Sequence, residues 1–378
     1  MPQTRYALPI LLAALLAGGA VRAQQPASPR SLLTEEMTAA DRRIMQEVRQ
    51  SPHLMANLEY LCDMIGPRLT GSAKLRRANE WTLQKFREYG LTNAHLEGYT
   101  IPTAWTRGHA SARVLEPTEQ SLTIASAGWA PSTPGPVRGE VIYLDATDEA
   151  GLEKYRGRLR GAILLTRPPR EIPLPAPPTV TGVPTPLPAE PVRRTEPPFP
   201  SSAFRRRLAE FVKSEGAACI FYDSGLEHSL LNMTSRGGPE PFTPGEVPAA
   251  FITSEGYRLL WRLLKRGTTR VEVEIKNSFS AGPVEVFNTV AEIPGSERPE
   301  EVVILGAHLD SWDLGTGATD NGTGSMAVLE AARAIQSLGL RPKRTLRFIL
   351  FTGEEQGLVG SREYVKTHSA DAARISGI

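Results

Sequence analysis

Val302-Val303-Ile304-Leu305 runs directly into Gly306-Ala307-His308-Leu309-Asp310, and Leu346-Arg347-Phe348-Ile349-Leu350-Phe351 runs into Thr352-Gly353-Glu354-Glu355. Both apolar runs read as strands covered on their two faces by helices. Between them residues 322–338 carry a helical pattern, with Asp320 or Asn321 placed to cap its start. That order predicts a right-handed parallel crossover, and with it an α/β fold built on a mixed, largely parallel sheet flanked by helices. Ligands of such sheets gather at the carboxyl ends of the strands. Three short segments therefore deliver one His and several carboxylates to a single rim.

Imidazole nitrogen and carboxylate oxygen are the donors zinc takes in hydrolytic sites, and a shared carboxylate can bridge two ions about 3.5–4 Å apart. His308 is the candidate imidazole ligand and Asp320 the candidate bridge. Asp310, two residues beyond His308, is positioned to orient the ring. Side chains of the neighbouring Glu354 and Glu355 diverge past a strand end, so one can hold metal while the other faces the attacking water. Each piece has a plainer reading alone: a His after a strand is usually structural, and a Glu pair is usually solvated surface. The glycine-rich residues 315–324 lack the Gly-Lys-Ser/Thr ending of a phosphate loop and would set an acid against the phosphate. It is the ordered set that points to metal-assisted hydrolysis.

Upstream, residues 34–50, 53–64 and 73–89 show amphipathic helical spacing, the last burying Trp81, Leu83 and Phe86 and stopping at Gly90. Ile65-Gly66-Pro67-Arg68-Leu69-Thr70-Gly71-Ser72 separates the second and third as a Gly- and Pro-rich turn. From 111 to 275 the character changes to short strands at 139–144, 161–165, 217–222, 249–252 and 271–275, with helices at 204–213 and 254–265. This reads as a separate α/β module. Within it, residues 167–200 are so proline-dense that an extended surface excursion is expected. The expected division is 1–23 leader, 24–117 N-terminal helical part of the catalytic domain, 118–276 inserted module and 277–378 catalytic domain.

The 378 residues carry 43 basic and 41 acidic side chains, a net charge of +2, so no global field attracts nucleic acid or anionic lipid. Arg5, the apolar residues 7–20 and Val21-Arg22-Ala23 read as a secretory signal cleaved after Ala23, giving an exported, periplasmic or secreted protein. The apolar stretch is too short to span a membrane comfortably, so no stable insertion is expected. Cys62 and Cys219 are too few for a disulfide framework or a Cys-based zinc site and read as buried small hydrophobes. His53, His95, His109 and His228 have no ligand-spaced neighbours, and Arg205-Arg206-Arg207 reads as a solvated helix face. Asn232-Met233-Thr234 is a glycosylation sequon only in a glycosylating host.

The chain resembles the M28 family of zinc peptidases, closest to its carboxypeptidase Q branch. The resemblance is carried by residues 65–72, Phe287-Asn288-Thr289-Val290-Ala291-Glu292-Ile293, residues 306–313, Gly317-Ala318-Thr319-Asp320-Asn321-Gly322, residues 341–347 and Gly353-Glu354-Glu355-Gln356-Gly357. It implies two zinc ions: His308 on the first, Asp320 bridging both, Glu355 on the second, Glu354 as general base and acid, and Asp310 supporting the ligand His. It also implies that the middle module is a protease-associated domain. The family's further Asp and His ligands are not found before Ile378, so the chain reads as C-terminally truncated. His368 could be offered as a substitute, but its position matches a surface helix. The implied function is a zinc exopeptidase acting on short peptides as an aminopeptidase, dipeptidase or carboxypeptidase. An inactive binding protein on the same fold and a hydrolase of non-peptide amides are the alternatives. Monomer and homodimer are both left open.

Overall fold

The computed structural model describes residues 35–171 and 202–378, arranged around two large sheets and a two-stranded ribbon of Trp105–Thr106 with Ser278–Phe279. The expected leader and nearly all of the proline-rich 167–200 lie outside the described residues.

The first sheet has five strands in the spatial order Thr92–Ile101, Val284–Ile293, Arg344–Phe351, Arg298–His308, Ile375–Gly377. Its first two pairings are antiparallel and its last two parallel. The sheet is therefore mixed, but not largely parallel. A short turn after Ile293 reverses the chain into Arg298–His308. Arg344–Phe351 then slots between those two strands, antiparallel to one and parallel to the other. Within the parallel pair His308 stands opposite Phe351, so the residues following both strands emerge side by side.

The helix Thr323–Ser337 joins this pair. Asn321 caps its start, accepting the Gly324 N–H at Oδ1 over 3.0 Å, while Asp320 turns to the rim. Its buried Met326, Leu329 and Ala332 pack on Phe348 and Leu350 of the sheet and on Leu61, Leu75, Ala78 and Phe86 of the N-terminal helices. Ala73–Glu88 is helical for local reasons as well. Ser72 accepts the Leu75 N–H at 3.2 Å, buried Leu75, Ala78, Thr82 and Phe86 fall on one face, and Gly90 ends the run at φ +80°. The expected helix at 53–64 is His53–Glu59 followed by a π-helical turn, Tyr60–Ile65. Arg333 secures the layer, pairing with Glu330 at 2.8 Å and reaching Glu47 of the helix Glu35–Gln50 at 2.9 Å.

The second sheet has eight strands. Val137–Tyr143, Ile163–Leu165, Cys219–Asp223 and Ala249–Ile252 form its parallel centre, with Arg270–Ile275 antiparallel beside the first. Ala110–Glu116 belongs to this sheet, pairing with Arg270–Ile275, so the second unit starts ahead of residue 118. Both cysteines are buried free thiols. No described helix is long and apolar enough to cross a membrane.

The two units meet over an aromatic cluster. Trp129 stacks on Trp105 with centroids 5.7 Å apart and meets Trp312 edge-on at 6.3 Å. Beside it the Arg107 guanidinium grips Asp313 through two hydrogen bonds of 2.8 Å. Trp312 and Asp313 sit on the loop that leaves His308, so the second unit packs against that loop.

Candidate metal centre

His308 closes its strand, and its carbonyl accepts the Ser325 hydroxyl at 2.7 Å. On the ring, Nδ1 lies 3.1 Å from the Asp310 carbonyl oxygen and 3.5 Å from its Oδ1. Nε2 lies 3.0 Å from Asp320 Oδ1 and 3.7 Å from Glu354 Oε2. Asp310, wholly buried, holds both neighbours of the site. Its Oδ2 accepts Thr70 Oγ1 at 3.0 Å and the Glu355 N–H at 3.2 Å, while Oδ1 accepts the Glu354 N–H at 3.3 Å. Asp310 thus fixes the imidazole, through its carbonyl and its carboxylate, and with that carboxylate the start of the Glu-Glu turn.

That turn is held from below. Thr352 donates its N–H to Asn288 Oδ1 at 3.0 Å and its hydroxyl to the Phe287 carbonyl at 2.9 Å, and Tyr99 Oη lies 2.9 Å from the same hydroxyl. Gly353 donates its N–H to Thr70 Oγ1 at 3.2 Å. Its φ is +71°, and a Cβ there would stand 2.6 Å from Tyr99 Oη, so only glycine fits without displacement. The Asp320–Asn321 peptide is cis.

His308, Asp320 and Glu355 each offer a ligand atom within 4.8 Å of the others. The electrostatics match a site short of positive charge. Burial pushes Glu355 up to about 7, and the charges of Asp320 and Asp310 push the same way. Burial alone would lower His308, but the hydrogen bond and charge of Asp310, reinforced by Glu354, raise it to about 9. A divalent cation would relieve this crowding of acids, and one imidazole among carboxylates is a donor set that suits zinc. His368 stands apart from the group: its Nε2 meets Glu97 at 2.9 Å and its ring lies 4.3 Å from Tyr364.

The profile of peptidase family M28 matches residues 288–377. Carboxypeptidase Q of Bos taurus is 36% identical over 321 residues, covering 84% of this chain and 62% of that protein. The chain is similar to peptidase family M28 and to carboxypeptidase Q. It spans less than two thirds of the length of that carboxypeptidase Q. Among solved structures, a peptidase M28 precursor from Shewanella amazonensis SB2B superposes with a TM-score of 0.69 at 28% identity, covering 89% of this chain and 72% of that one. A zinc aminopeptidase from Bacillus subtilis shares the fold at TM-score 0.57 and 18% identity, covering 85% and 66%.

Thr70, Asn288, Thr352 and Tyr99 support the site and were not singled out from sequence. Thr70 and Asn288 do fall within the runs that carry the resemblance, and that was their one visible signal.

Proposed function

We propose that this protein is a zinc-dependent exopeptidase that hydrolyses the amide next to a free terminus of short peptides. The observation that carries the reading is the convergence of His308, Asp320 and Glu355 at one rim, with Glu354 beside them and Asp310 behind the imidazole. In this reading His308, Asp320 and Glu355 are the side chains of this chain that would hold two zinc ions. Zinc, when bound, lowers the pKa of water and polarises the peptide carbonyl. Glu354 takes the proton from the attacking water and returns it to the leaving amine. Asp310 accepts from the imidazole Nδ1–H and so keeps Nε2 turned to the rim.

The second unit is read as a protease-associated domain bordering the substrate. Supporting this, a Cβ on Gly315 of the His308 loop would lie 3.9 Å from Met233, and one on Gly357 of the glutamate turn 4.0 Å from Pro241. The leader at 1–23 is read as directing export. Zinc analysis of the purified full-length protein, together with hydrolysis of short peptides with free, N-blocked or C-blocked termini, tests the assignment. Zinc retention with turnover that one blocked terminus abolishes is expected. A metal-free protein, or one that cleaves doubly blocked peptides equally well, overturns it.

A further inference from the structure

Arg68 has no solvent exposure, yet it lies in a turn some distance in sequence from the rim. Its guanidinium hydrogen bonds go to backbone carbonyls. Nε donates to Leu309 at 2.7 Å, Nη1 to Thr316 at 2.9 Å and to Gly66 at 3.0 Å, and Nη2 to Gly317 at 2.9 Å. The main chain adds a second grip: Arg68 N–H donates to Ser311 Oγ at 3.0 Å, and its carbonyl accepts the Ser311 N–H at 3.1 Å.

Leu309 directly follows His308, and Gly317 directly precedes the turn that carries Asp320. The Gly317 carbonyl that Arg68 holds also accepts the Gly322 N–H at 2.9 Å, which closes that turn. Gly317 adopts φ +65°, and a Cβ there would meet Ser311 Cβ at 2.4 Å and Arg68 Nη2 at 2.8 Å. The loop therefore closes directly onto the guanidinium, at a position where only glycine fits.

A planar guanidinium with five donors in a fixed fork can hold two chain segments at a set separation, which a lysine ammonium cannot. Burial of such a group among carbonyls also fixes it to one arrangement, since every donor that lost its acceptor would stay desolvated. We propose that Arg68 is a positioning residue: by holding Leu309 and the 316–317 turn on one rigid fork, it sets the spacing of His308 and Asp320 before metal arrives. The inference rests on the metal-site reading above.

The test uses the full-length protein as wild type, R68K, S311A and H308A. Zinc affinity is measured by competition with a chelator, the visible spectrum after cobalt substitution, and folding by circular dichroism of the metal-free forms. Wild type should bind zinc and H308A should not; a wild type without zinc overturns the metal site itself rather than the role of Arg68. R68K should fold, bind zinc about 10–100-fold more weakly, as changes behind a ligand do, and give an altered cobalt spectrum. R68K that folds and matches wild type in both readouts overturns the proposal. Should R68K fail to fold, S311A decides, because it loosens the same loop while keeping the guanidinium. A several-fold loss of affinity supports the proposal and an unchanged affinity and spectrum overturn it.

Discussion

His308 Nε2 stands 3.0 Å from Asp320 Oδ1 although a glycine-rich loop separates the two residues in sequence. Burial lowers His308, but the hydrogen bond and charge of Asp310, with the charge of Glu354, raise it to about 9. Below these values zinc would have to displace a proton from the imidazole and another from Glu355, which burial and its acidic neighbours raise to about 7. Raised values mean more protons to displace as the pH falls, so zinc affinity should climb from about pH 6 to about pH 9. Affinities measured by chelator competition across that window check this; a flat profile contradicts it.

Thr70 is a second point of leverage. Its hydroxyl donates to Asp310 and accepts the Gly353 N–H, so Thr70→Val leaves two buried groups short of a partner. A stability loss of about 1–3 kcal/mol is expected in denaturant titrations. Turnover should fall about 10–100-fold as Asp310 loosens behind His308.

Phe86 offers the opposite case. It is fully buried and packs on Phe348 with centroids 6.4 Å apart, away from the rim. Phe86→Ala should cost about 3–5 kcal/mol of stability. Below its lowered melting temperature it should keep wild-type zinc affinity, which separates damage to the core from damage to the site.

The contact between the two units is testable through Asp313. Replacing it with Ala strands the Arg107 guanidinium, whose side chain is 8% exposed. About 3–5 kcal/mol is the expected order for removing one partner of a buried pair. Limited proteolysis should show the second unit released earlier than in wild type.

How much of this could be read from the chain depends on the range of the interaction. The strands ending at His308 and Phe351 were legible because apolar runs of that length have few alternatives, and the linking helix because its spacing and cap are local. The strand Thr92–Ile101 was not: it lies at the sheet edge, polar His95 and Glu97 share the parity of buried Tyr99 and Ile101, and Gly98 interrupts the pattern. Ala110–Glu116 was not read as a strand, because its partner Arg270–Ile275 lies far along the chain. The even balance of parallel and antiparallel pairings was hidden for the same reason, since the insertion of Arg344–Phe351 between two earlier strands leaves no local trace. His308, Asp310, Glu354 and Glu355 were visible as residues at strand ends, and Asp320 at the end of the glycine-rich loop after His308. Arg68 and Thr70, which hold that rim together, sat in a turn whose Gly and Pro content explained it without them.

The central claim is that two adjacent, chemically identical acids do different work. Glu354→Gln and Glu355→Gln should be compared in the full-length protein at matched free zinc, by metal analysis and peptide turnover. Glu354→Gln is predicted to retain zinc and lose kcat by about 10²–10⁴-fold, the range for a general base. Glu355→Gln should instead bind zinc more weakly, since a neutral amide is a poorer ligand than a carboxylate. Loss of metal from Glu354→Gln with retention in Glu355→Gln would contradict the assignment by reversing it, and unchanged turnover in both would place the chemistry elsewhere.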